Sequence, residues 1–176
     1  VFAELAPLSP LQIKQLERHY ELLTRWNKVL NLTSLQDPKE IIERHYGESL
    51  FLGGHLPPGA LRIADVGSGA GFPGIPVAIL RSDCSVALIE SHQRKSVFLR
   101  EATREINNIR VIGQRAEDVM DRFDWVISRA VKEPPALAEN VAFLGGEEPP
   151  VLHCFTWNKI KLPWGRHRFL WLGRST

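Results

Sequence analysis

Apolar residues recur at Leu11, Leu16, Tyr20, Leu23, Trp26 and Leu30, a spacing that lays them along one face of a helix. Ser9-Pro10 marks its start, a capping side chain followed by a proline at the first helical position, and the pattern predicts an end near Asn31. A second start follows at Asp37-Pro38, with Glu40 three residues after the cap as in a capping box, and runs through Ile41, Ile42 and His45 to Leu50 and Leu52. Residues 1–54 therefore read as a helical preface. Past HLPPG the period changes. LRIADV (61–66), SVALIE (85–90), NIRVIG (108–113) and FDWVIS (123–128) are short apolar runs rich in β-branched residues, separated by segments of helical length.

Strands alternating with helices at this spacing imply right-handed crossovers and a parallel sheet, so residues 55–176 are expected to form a doubly wound, Rossmann-like α/β core. Preface and core together suit one structural domain. In such sheets ligands bind beyond the carboxyl ends of the strands, where the strand order reverses. Asp65 and a glycine loop stand at the first strand end, Glu90 at the second, Ala116-Glu117 after the third and Ser128-Arg129 at the fourth.

Composition narrows the class without naming a chemistry. The 176 residues are 44% hydrophobic and 24% charged, which is ordinary for a folded domain. No window approaches the roughly 18 apolar residues of a membrane span, and VFAELAPLSP lacks the layout of a secretory signal, so a cytoplasmic location is expected. Cys84 and Cys154 sit in no metal or redox spacing. Charge is uneven: residues 1–150 carry 17 Lys and Arg against 20 acids, residues 151–176 carry 5 against none. That basic, tryptophan-bearing tail suits either a nucleic-acid surface or an edge strand kept soluble by its cations.

DVGSGAGFPG (65–74) admits three nucleotide readings. A phosphate-binding P-loop needs a Gly-Lys pair, and the chain has none. A dinucleotide fingerprint can be read from Gly69, Gly71 and Gly74 with Glu90 as the ribose acid. The third reading takes Asp65, Gly67 and Gly69 as the Asp-x-Gly-x-Gly loop of S-adenosylmethionine enzymes, where glycines let the backbone pass close to a ligand without a pyrophosphate. A carboxylate at the strand end favours a cationic donor over a pyrophosphate for Coulomb reasons, and Pro73 removes an amide that a phosphate would use. Glu90 then suits the ribose hydroxyls. Glu117 suits the adenine edge, or else RAEDVMD is the first turn of an exposed helix.

The whole segment ADVGSGAGFPGIPVAIL resembles the glycine-rich motif of the RsmG (GidB) family, which methylates N7 of a guanosine in the 530 loop of bacterial 16S ribosomal RNA. WNKVLNLTSLQDPKEIIERHYGESL resembles the family's WNxxxNLT and RHxxDSL signatures, ESHQRKSVFLRE its lysine-bearing segment and DWVISRAV its SRA motif, so the likeness covers about residues 16–131. It implies a class I methyltransferase sheet, S-adenosylmethionine as cofactor, 16S rRNA or the small ribosomal subunit as partner, and a monomer. Position by position, it implies donor contacts at Gly67, Phe72, Glu90, Ser91, His92, Ala116, Glu117 and Arg129, beside Asp65 and Gly69 of the loop.

Two departures stand out. Glu48 occupies the family's usual aspartate in RHxxDSL, and the chain after Ala130 is short. LHCFTWNKIKLPWGRHRFLWLGR can supply the closing hairpin, but LGGEEPPV offers no obvious fifth strand, which suggests that roughly 20 residues are missing near 144–152.

Guanine N7 carries a lone pair and no proton, so methyl transfer needs no general base and no catalytic side chain is assigned. SRAV, in place of an Asn/Asp-Pro-Pro-aromatic box, agrees, and EPPA at Glu133 is only a near miss of that box. Arg25, Lys28, Arg44, His45, Arg94 and Lys95 are candidate RNA contacts, with solvated helix faces as the alternative for most of these charges and a hydrogen-bonded core place between helix and sheet as the alternative for His45. An NAD(P)-dependent oxidoreductase and a non-catalytic RNA-binding or assembly module are the competing functions.

Overall fold

The computed structural model describes residues 5, 7–129, 131 and 137–176. EPPA at 133–136 lies outside these residues, as does Ala130 of the SRA motif. Helix α1 spans Pro10–Leu30, with a reciprocal box at its start: Gln12 N donates to Ser9 Oγ (3.2 Å) and Ser9 N to Gln12 Oε1 (2.8 Å). It stops where Asn31 turns left-handed at φ 48°. Asp37 caps α2 (Pro38–Ile41) through Lys39 N rather than through a box with Glu40. The helix then widens into a π segment (Ile42–Gly47) before resuming as α3 (Glu48–His55). Such widenings displace side chains from the regular helical stagger, and this one carries Arg44, His45 and Tyr46.

The four predicted strands are β1 (Arg62–Val66), β2 (Ser85–Ile89), β3 (Ile109–Ile112) and β4 (Trp125–Ser128), with α4 (Gly74–Leu80) and α5 (Gln93–Ala102) between the first three. A fifth parallel strand does exist, β5 (Asn140–Gly145), paired with β4. Its core, VAFL, directly precedes the Gly-Gly-Glu-Glu-Pro-Pro run that reads as a loop. The basic tail forms the antiparallel hairpin β6 (Phe155–Lys161) and β7 (Phe169–Ser175), with β7 inserted beside β5. Strand order is β3-β2-β1-β4-β5-β7-β6, which reverses direction at β1 and β4.

The two sheet faces are covered unequally. One continuous cluster joins Ile63, Leu88, Ile127 and Leu144 of the sheet to Ile75 and Ile79 of α4, Phe98 and Leu99 of α5, and Leu23, Phe51 and Leu52 of the preface. On the other face, Ala64, Val66, Ile89, Val126 and Val141 meet Val119, Leu137, Phe123 and Leu152, none of which belongs to an α-helix. The connection from β5 to β6, residues 146–154, contains only bends and turns. Among the described residues no helix is long and apolar enough to cross a membrane.

Candidate functional site

The glycine loop leaves β1 at Val66 and enters α4 at Gly74, directly at the strand-order reversal. Six of its amides are consumed by the protein itself. Gly67 N and Ser68 N both donate to Ile89 O, Gly71 N and Phe72 N to Ser68 O, Gly69 N to Glu90 Oε2 and Gly74 N to Asp65 Oδ2. Position 73 is a proline and has no amide to offer. A loop that binds pyrophosphate presents its N–H groups to the ligand, and here they are turned inward.

Gly67 sits at φ +71°, and a Cβ there would come 2.7 Å from Val131 Cγ2. Glycine is thus required both for the turn and to keep the cleft open. That cleft, about 260 Å3, is lined by Val66, Gly67, Ile89, Glu90, Ser91, Ala116, Glu117 and Val131, together with Gln114 and Arg115. The structure therefore brings Gly67, Glu90, Ser91, Ala116 and Glu117 of the predicted set together. Glu117 is exposed in a 3₁₀ turn (Ala116–Asp118) rather than on a long helix. A larger groove of about 840 Å3, bordered by Leu8, Leu16, Tyr20 and Leu50, is built on residues of the preface and not on the strand ends.

Glu90 is 8% exposed, and its carboxylate ties two segments together: Oε2 accepts from Gly69 N (2.9 Å) and Oε1 from His92 N (2.8 Å). Each oxygen keeps a second lone pair toward the cleft. His92, in turn, caps α5 by accepting from Lys95 N (3.4 Å). Its imidazole is occupied with the helix start, while Ser91 beside it is exposed.

Asp65 differs from its expected role. Its carboxyl is fully buried on the α4 side of the sheet; Oδ2 accepts from Gly74 N (3.0 Å) and Oδ1 has no partner. Burial, reinforced by the charge of Glu90, lifts its pKa to about 7. Strand alternation puts Asp65 on the face of Ile63, away from the cleft wall formed by Val66, so it anchors the loop to α4 instead of presenting charge to a ligand.

Phe72 and Arg129 face the preface. The Phe72 ring, 6% exposed, stacks on His45 (centroids 4.6 Å apart) and meets Tyr46 and His19 edge-on at 4.9 and 5.1 Å. Arg129 donates through Nη1 to Arg44 O (3.2 Å) and to His45 Nδ1, with its guanidinium 6.0 Å from the Phe72 centroid. Since arginine can only donate, His45 carries its proton on Nε2 and gives it to Thr33 Oγ1 (2.6 Å). Burial and the neighbouring Arg129 push the His45 pKa down to about 3. Burial likewise draws Arg129 down to about 10, still a cation at neutral pH.

Sequence reasoning passed over three residues of this network. His19 is buried in α1, donating from Nε2 to Ala70 O of the loop (2.9 Å) and accepting at Nδ1 from Tyr46 OH (2.8 Å); burial lowers its pKa to about 4. Its place on the apolar face beside Leu16 and Leu23 was the available signal. Tyr46 follows the predicted His45. Arg168, in the β6–β7 turn, makes a bidentate pair with the fully buried Glu48 (2.9 and 2.6 Å). The longer acid at position 48 thus reaches a guanidinium 120 positions away.

Comparison with known proteins agrees with this geometry. The family model described as GidB, rRNA small subunit methyltransferase G, matches residues 12–152. The chain is 40% identical over 145 residues to ribosomal RNA small subunit methyltransferase G of Dichelobacter nodosus, covering 80% of this chain and 68% of that protein. It is 42% identical over 135 residues to the protein of the same name from Nitrosospira multiformis, covering 74% and 60%. The matched segment spans between 55% and 68% of the curated relatives' own length. Among solved structures, magnesium protoporphyrin IX methyltransferase from Synechocystis PCC 6803 with bound SAM superposes with a TM-score of 0.62 over 97% of this chain and 99% of that one; at 15% identity the likeness is one of fold. On a Rossmann-like methyltransferase sheet, and with these relatives, the chain belongs to the GidB family, rRNA small subunit methyltransferase G.

Proposed function

We propose that this protein transfers a methyl group from S-adenosylmethionine to N7 of a guanosine in the 530 loop of 16S ribosomal RNA. The observation that carries the donor half is the loop whose amides are spent on protein acceptors while Glu90 looks into the cleft: the ligand it suits bears ribose hydroxyls and positive charge, not a pyrophosphate. The residues fit that donor. Gly67 and Gly69 pass beneath it, Glu90 takes the ribose hydroxyls with Ser91 and His92 alongside, and Ala116 and Glu117 border the adenine. Asp65 holds the loop in place from behind. Arg129, which makes no ion pair among the described residues, takes the donor carboxylate, and Phe72 fixes Arg129 against the preface.

S-adenosylmethionine supplies an electrophilic methyl group. The protein's task is to hold the guanine N7 lone pair in line with it and to exclude water. No side chain has to remove a proton. The preface (1–54) and core (55–176) act as one domain and as a monomer in the cytoplasm.

Titration calorimetry with S-adenosylhomocysteine and with NAD separates the two cofactors: binding of the first alone is expected, and binding of NAD alone overturns the reading. Labelled methyl transfer to small-subunit rRNA, followed by nucleotide mapping, tests the acceptor. One other reading is a donor-binding RNA module without turnover. Donor binding without transfer would establish it.

A further inference from the structure

The hairpin turn lies at the ligand end of the sheet. Gly145, the last residue of β5, pairs with Phe169, and Phe169 pairs with Lys161, so residues 162–168 project beyond the same strand ends as the glycine loop and Arg129. The turn is pinned to the preface twice. Trp164 packs edge-on against Phe51 of α3 at 6.1 Å, and Arg168 grips Glu48. A β-turn held by a buried ion pair and an aromatic contact is a rigid platform.

That platform carries more positive charge than the protein neutralises. Glu48 is taken up by Arg168, and Glu147 by Lys159 of β6 and His167 of the turn. Lys161 and Arg166 are exposed and make no ion pair among the described residues; Arg44, half-buried across the seam on the π segment, makes none either. Residues 151–176 contain no acid.

We infer that the β6–β7 turn, through Lys161 and Arg166, is the docking surface for the phosphodiester backbone of the RNA acceptor, separate from the donor cleft. Exposed guanidinium and ammonium groups on a pinned turn match the sign of a phosphate track, and such groups position a nucleic acid without reading its bases. The inference rests on the RNA-methylating reading above. Charge complementarity selects RNA here: an apolar protein partner would leave these cations desolvated and unpaired.

The test uses the full chain and small-subunit rRNA in a mobility-shift titration at several salt concentrations. Three proteins are compared: the parent, the double variant Lys161→Glu/Arg166→Glu, and a control, Arg104→Glu, whose exposed cation lies near the opposite end of the sheet. The double variant is expected to bind RNA at least roughly tenfold more weakly, since each charge-assisted hydrogen bond is worth about that factor. Its log-affinity against log-salt slope should become shallower by about 0.7–0.9 for each phosphate it no longer neutralises. S-adenosylhomocysteine affinity and the circular dichroism spectrum should match the parent, which shows the fold intact, and the control should bind RNA like the parent.

If the parent binds and methylates RNA while the double variant shows unchanged affinity and slope, the turn is not the docking surface and the methyltransferase reading survives. If the control weakens as much as the double variant, the effect is one of net charge and the inference also fails. If the parent binds no RNA, both readings fall.

Discussion

Asp65→Asn separates the charge of the loop anchor from its shape. In the native protein one carboxyl oxygen accepts from Gly74 N and the other lies buried without a partner, and burial raises the pKa to about 7. In the unfolded chain the same group titrates near about 3.9. Because the folded value is the higher one, the native state keeps a proton between these limits that the unfolded chain has already released. The group's contribution to stability is therefore fully present below about pH 3.9 and is lost as pH rises through about 7. The gap corresponds to roughly 4 kcal/mol at about 1.4 kcal/mol per pKa unit. Asparagine never ionises and retains an oxygen for Gly74 N, but it places an NH2 group where no acceptor waits, at a cost of about 1–3 kcal/mol.

Urea unfolding of both proteins at stepped pH measures the difference directly, provided the denaturant slopes agree. At pH 4–5 the variant should be the less stable protein. The balance should then move in its favour by up to about 4 kcal/mol between pH 4 and 8, with His19 and His45 contributing equally to both curves. A stability difference that stays flat across this range would refute the buried, proton-holding carboxyl.

Glu48 and Arg168 should show coupling of about 2 kcal/mol or more in a double-mutant cycle of Glu48→Gln and Arg168→Met, below the full range for buried pairs because the Arg168 side chain is 23% exposed; coupling under about 0.5 kcal/mol would contradict the geometry. His19 and His45 have folded pKa values of about 4 and about 3, below the unfolded value, so their contribution is complete above about pH 6.5 and is lost on acidification. His19→Gln should accordingly flatten the dependence of stability on pH between 4 and 6.5 by up to about 1.4 kcal/mol per pH unit, and an unaltered slope in urea titrations would show that His19 takes up its proton in the native state. Glu90→Gln offers one oxygen where Gly69 N and His92 N use two; S-adenosylhomocysteine affinity, read by calorimetry, should drop roughly tenfold or more, and unchanged affinity would remove Glu90 from the ribose.

Periodicity made the preface and four strands legible because their apolar positions repeat cleanly and their starts carry capping residues such as Ser9 and Asp37. β5 was hidden because Val141–Leu144 offers only a short apolar core before a glycine- and proline-rich run; its pairing with β7, far along the chain, decides its state. The cleft residues Gly67, Glu90 and Ala116 were legible as strand-end chemistry. The orientation of Asp65 was not, since β1 is buried on both faces and its sequence shows no polar alternation to tell them apart. Likewise nothing local to Glu48 names Arg168. Pairing across 120 positions is a property of the closed sheet, not of either segment.

The reach of that pair sets an order of events during synthesis. At about 5–20 residues per second, roughly 6–24 seconds separate the translation of position 48 from that of position 168. Until the arginine arrives, burying the Glu48 carboxylate would cost several kcal/mol, so it stays hydrated and holds α3 off the sheet. The β1–β3 unit with α4 and α5 can collapse from local contacts alone, donor loop included. The Glu48–Arg168 pair forms only when the hairpin closes. A nascent chain interrupted before position 168 would therefore carry a formed glycine loop beside a preface whose Glu48 carboxylate is still unpaired.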